Sequence, residues 1–91
     1  MDDWKNKKLK NLAKTLVAIS GEKDMLNFLR DLCTLEELDE MSNRLEAVQL
    51  LNKGTSYRDV AEKTGMSTTT VTRIAHWMKH GEGGYKKALE K

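Results

Sequence analysis

Apolar residues recur along this chain at spacings of three and four, the period of a helix lying against something. Nowhere do they keep the two-residue rhythm of a half-buried strand. Leu9, Leu12, Leu16 and Ile19 form the first stripe, in a stretch from residue 1 to about Ser20 that opens polar and stops before Gly21. Trp4 precedes the stripe and is placed to close its end by packing. Asp24 is the expected N-cap of a second helix carrying Met25, Leu26, Phe28, Leu29 and Leu32. That is more apolar surface than one contact face needs, so burial on several sides is expected. Thr34 and Glu37 have capping-box spacing and open a longer third helix, striped by Leu35, Leu38, Met41, Leu45, Val48 and Leu51 and closed by Asn52-Lys53-Gly54. The pattern predicts an all-α fold of five or six helices.

The stretch Ser56 to His80 organises the rest. Ser56 caps a short helix with Asp59 at its third position, and Val60 beside the small Ala61 lets a second helix cross closely. Gly65 supplies the turn, and Ser67 caps a following helix that starts at about Thr68. In that helix Val71, Ile74, Ala75 and Met78 share one face, while Thr69, Thr72, Arg73, His76 and His80 share the other. No acid occurs from Thr68 to His80. The pattern is that of a helix-turn-helix with an outer face suited to DNA. A helical hairpin that only packs accounts for Val60, Val71 and Ile74 equally well, but not for an acid-free, threonine-rich outer face.

Charge adds to this picture through its distribution. The whole chain of 91 residues carries +2, yet residues 1–51 hold 8 Lys/Arg against 10 Asp/Glu and residues 52–91 hold 8 against 4. The basic half carries the helix-turn-helix, as phosphate attraction requires. Lys5, Lys7, Lys8 and Lys10 read either as a solvated face or as an arm touching DNA. At this length a chain has little core of its own, and the apolar N-terminal helices exceed what one small motif can cover. Two copies sharing those helices are the expected cover, with a monomer folded back on itself as the alternative. The organisation expected is one domain over 1–91, with dimerisation helices in 1–54, the helix-turn-helix in 56–80 and a glycine turn with a short helix, Tyr85 to Lys91, in 81–91. Tyr85, Ala88 and Leu89 are available there for docking.

Catalytic chemistry is missing from the pattern: there is no nucleophile elbow, phosphate-binding loop, CxxC pair or paired carboxylates in an apolar setting. No enzymatic activity, catalytic residue or cofactor is expected. His76 and His80 are spaced to hold a metal ion from one helix face but lack a third ligand, so no metal is expected and a place near phosphate suits them better. Trp77 reads as a packing residue. The lone Cys33 suits a reducing, cytoplasmic setting, and no stretch is long enough to span a membrane.

Four segments, FLRDLCTLEEL, RLEAVQLL, NKGTSYRDVAEKTGMSTTTVTRI and the terminal GEGGYKKAL, resemble the Trp repressor superfamily, and within it the YerC/YecD-type proteins. The resemblance runs from about Phe28 to Lys91. It implies an intertwined bacterial homodimer that binds operator DNA and regulates transcription, as a repressor. Thr68, Thr69, Thr72 and Arg73 are then expected at base edges, and Lys53, Ser56, Arg58, His76 and Lys79 at phosphates. The positions matching the family's tryptophan pocket are Thr34, Arg44 and Arg73, followed by Ile74 where the Trp repressor has glycine. That departure argues against tryptophan as corepressor and leaves room for another small-molecule effector. The alternative is a protein-interaction dimer whose helix-turn-helix no longer binds DNA.

Overall fold

A computed structural model describes residues 4–90, and in them the chain is all-helical, without strands. The helices are α1 (Lys7–Ala18), α2 (Glu22–Leu32), α3 (Leu35–Asn52), α4 (Tyr57–Thr64), α5 (Thr68–His80) and α6 (Gly84–Leu89). Contacts within the chain gather into two compact units, divided between Leu38 and Asp39. Among the described residues, no helix is long and apolar enough to cross a membrane.

In the first unit, α1 starts where the Asn6 side chain accepts a hydrogen bond from the Leu9 N–H at 2.8 Å, a local cap that fixes the first turn. The helix is therefore shorter than the stretch from residue 1 to Ser20, whose first three positions lie outside the described residues. Trp4 is exposed, with the Lys5 ammonium 5.4 Å from its ring centroid. The expected cap of α2 needs correction, because that helix begins at Glu22 with Gly21, not Asp24, in the capping position. Gly21 sits at φ 91°, ψ 147°, a conformation closed to residues with a Cβ, so the turn out of α1 decides where helical dihedrals begin. Asp24 falls in the first turn, where its charge meets the positive end of the helix dipole.

Burial of α2 on several sides is not observed. Neither α1 nor α2 has a buried residue; Leu12, Leu16, Ile19, Met25, Phe28 and Leu29 are half-buried, while Leu26 and Leu32 remain exposed. Two helices of this length can shield one another on one side only. The capping box at the head of α3 does form in full. The Thr34 N–H donates to Glu37 Oε1 at 2.8 Å and the Glu37 N–H donates to Thr34 Oγ1 at 3.0 Å.

The second unit has an interior. Ala47 and Val48 of α3, Val60 of α4, and Val71 and Ile74 of α5 are buried together. Leu50, Leu51, Ala61, Met66, Met78, Tyr85 and Leu89 pack around them. Burying a valine side chain fully contributes about 1.5–3 kcal/mol, so these few residues carry much of the unit's stability. The long stripe expected on α3 is only partly inside: Leu35, Met41 and Leu45 are exposed, and the small Ala47 takes a core position instead. The closest backbone packing among these helices is between α4 and α5, and Ala47 and Val48 of α3 complete the core beside them. The last helix spans Gly84–Leu89, with Lys91 outside the described residues, and of its expected docking residues Tyr85 and Leu89 are half-buried while Ala88 is exposed.

Candidate nucleic-acid interface

The geometry of α4 and α5 is set by hydrogen bonds that the local sequence supplies. Ser56 Oγ accepts the Asp59 N–H at 3.2 Å and starts α4. Gly65 ends it at φ 77°, with its N–H donated to the Ala61 carbonyl at 2.9 Å. The buried Thr64 hydroxyl donates to the Val60 carbonyl at 2.7 Å and accepts from the Met66 N–H at 3.4 Å, tying the turn to the helix it leaves. Sequence reasoning missed Thr64, whose polarity suggests a surface; the hydroxyl can be buried because both of its bonds close on the neighbouring backbone. Ser67 Oγ then accepts the Thr70 N–H at 3.1 Å and donates to Thr70 Oγ1 at 3.0 Å, starting α5.

This framework turns one face of α5 inward through Val71 and Ile74 and leaves the other outward. Thr68, Thr69, Thr72, Arg73, His76, Lys79 and His80 are all exposed, as the helical period dictates. The Thr72 hydroxyl donates to the Thr68 carbonyl at 2.9 Å, so the side chain is held in one orientation. Arg58, Arg73 and Lys79 have no carboxylate within ion-pair distance among the described residues. Their charges are thus available to an outside anion. Lys79 and His80 also occupy the last turn of α5, where the helix dipole favours positive charge.

Thr72, Ala75, His76, Lys79 and His80 line a shallow groove with Tyr57 of α4. It therefore brings together three of the expected DNA contacts, Thr72, His76 and Lys79. Tyr57 was not anticipated, although its place just after the Ser56 cap, on the first turn of α4, is readable from the sequence. Lys53, Ser56 and Arg58 are exposed in the same unit outside that groove. The Ser56 oxygen is engaged as a cap, which leaves its proton free to be donated.

The four residues matching a tryptophan pocket have separate local roles. Thr34 belongs to the first unit and is engaged in the α3 capping box. Arg44 and Arg73 are exposed on α3 and α5, and neither lines the groove just described. Ile74 is in the core with Ala47 and Val48. A different groove in the second unit, of about 500 Å³, is lined by Leu45, Trp77, Gly81, Glu82, Gly84, Tyr85 and Ala88. Trp77 is 58% exposed there, so within the chain it does not act as the packing residue its character suggests.

The sequence profile of the family described as Trp repressor protein matches residues 7–91. The chain is 29% identical to the uncharacterised protein YerC of Bacillus subtilis over 91 residues, spanning the whole of this chain and 88% of that protein. Its fold is similar to the crystal structure of a TrpR-like protein from Eubacterium eligens, with a TM-score of 0.91 at 29% identity. The match covers 99% of this chain and 93% of the other. A candidate Trp repressor from Staphylococcus aureus shares the fold at a TM-score of 0.89 and 24% identity, over 98% of this chain and 89% of the other. The likeness thus extends through α1 and α2, well before Phe28 where the recognisable motifs begin. This chain belongs to the Trp repressor family.

Proposed function

We propose that the protein is a sequence-specific DNA-binding transcriptional regulator, acting as a homodimeric repressor in the bacterial cytoplasm. The observation that carries this reading is the outer face of α5, which is exposed, basic, threonine-rich and free of acids, while the opposite face anchors the helix in the core. Family membership supports regulation of transcription rather than catalysis. In this reading the N-terminal half of α5 enters the major groove, where Thr68, Thr69, Thr72 and Arg73 meet base edges. Lys53, Ser56, Arg58, His76 and Lys79 hold the flanking phosphates. The half-buried and exposed apolar residues of α1 and α2 then face a second copy of the chain.

Tryptophan is not the corepressor in this proposal. Ile74 is only 5% exposed and packs among Ala47, Val48, Val60 and Val71, so an indole placed beside it must displace a side chain from a close-packed core. The reading heads are then held by packing, and any effector is a different small molecule. Selection of bound sites from a random duplex pool tests the main reading. Enrichment of approximate palindromes, with half-sites about one helical turn apart or a multiple of it, is expected from two symmetric heads. Absence of enrichment, with retention on duplex DNA indifferent to salt, would leave α4 and α5 as a protein-interaction surface. Calorimetric titration with millimolar tryptophan should give no saturable heat. A tenfold gain in DNA affinity on adding tryptophan would restore it as corepressor.

A further inference from the structure

His76 and His80 stand one turn apart on the exposed face of α5, their ring centroids 4.6 Å apart and their planes tilted by 39°. The rings of His76 and Trp77 stand nearly perpendicular, at 80°, with their centroids 5.4 Å apart. The groove they share is faced from α4 by Tyr57 and from α5 by Lys79 and Thr72, with Arg73 one turn back on the same helix. Asp59 and Glu62, the acids of α4, do not line it, and Glu82, the next acid after His80, lines the separate groove with Trp77 and Tyr85. No carboxylate lines the groove, so the negative charge within it is only the partial charge at the C-terminal end of α5, and a phosphate would be the first full negative charge to enter it. Histidine is the side chain whose charge ordinarily changes between pH 5 and 8, and its protonated ring donates from both nitrogens.

We propose that His76 and His80 form a proton-linked phosphate clasp: a backbone phosphate of duplex DNA seats against the two imidazoles and Lys79, and histidine protonation accompanies binding. The clasp rests on the DNA-binding reading above and adds to it a dependence on pH. The sign follows from linkage. The DNA-bound state holds more protons than the separated partners, so affinity rises as pH falls through the histidine range, with a slope equal to the number of protons taken up. Both rings lie on the outer face of α5, so glutamine at either position leaves the core untouched.

The test is the affinity of the full chain for a selected duplex between pH 8 and pH 6, at fixed ionic strength with a chelator and no phosphate buffer. Wild-type protein should bind about tenfold or more tightly at pH 6 than at pH 8. The double variant His76→Gln/His80→Gln, whatever its affinity at pH 8, should gain less than about twofold between pH 8 and pH 6. Binding heats measured in two buffers of different ionisation enthalpy should differ for wild type and coincide for the double variant. A wild type that binds well but without pH dependence removes the clasp and leaves the DNA-binding reading intact. A double variant that keeps the full pH response assigns the protons elsewhere and also removes the clasp. Failure of wild type to bind duplex DNA at any pH removes both.

Discussion

Helices α1 and α2 of the first unit and α4 and α5 of the second carry apolar faces at the same period, yet only the second unit has an interior. In the first, not one residue of either helix is buried, and Val17, Leu26 and Leu32 are exposed by half or more. In the second, Val48, Val60 and Val71 are shut off from solvent entirely. The difference is a third element. Ala47 and Val48 of α3 give α4 and α5 something to close on, whereas two short helices alone cannot enclose a core. An amphipathic stripe therefore marks a surface that needs covering, and not what covers it. In the proposed dimer a second copy supplies that cover for α1 and α2.

The largest effect is expected where packing is tightest. Ile74→Ala should destabilise the protein by about 2–5 kcal/mol in chemical denaturation, as large-to-small core changes do. Gly65→Ala should cost roughly 1–2 kcal/mol, because φ 77° strains a residue with a Cβ even though nothing lies within 4 Å of the added atom. In the first unit the contrast sharpens by a different measurement. The double change Leu26→Ser/Leu32→Ser should weaken self-association by about tenfold in sedimentation, with little loss of helicity in either unit. If a stable, fully helical monomer is instead found across the micromolar range for wild type, the cover is not a second copy. Thr34→Ala should have the smallest effect, about 1 kcal/mol, through removal of one capping bond at the head of α3.

What could be read from the sequence was what depends on nearest neighbours. The Ser56 and Ser67 caps, the left-handed Gly65 and the buried pair Val71 and Ile74 all follow from spacing within a few residues, and all are present. The start of α2 is not legible from Asp24, a good capping residue, because the turn before it decides where the helix begins, and Gly21 fixes that turn. The inner face of α3 is shorter than its stripe for the opposite reason. Leu35, Met41 and Leu45 have helical spacing, but their burial depends on partners distant in sequence or on another chain. Ala47 and Thr64 were invisible as core because one is small and the other polar. Tyr57 and His80 became part of a groove only once α4 and α5 had been brought together.

The central claim, that the outer face of α5 meets DNA while the inner face holds the core, is tested most directly by salt dependence. Affinity for a selected duplex would be measured by fluorescence anisotropy across a salt series, for wild type, Arg58→Ala and Thr69→Ala. Log affinity should fall linearly with log salt for wild type, and Arg58→Ala should make the slope shallower by about 1 for each phosphate left without its cation. Thr69→Ala should keep the wild-type slope and change which base is preferred at one position of each half-site. Salt-independent binding by wild type, or two variants indistinguishable from it in both slope and sequence preference, would contradict the account.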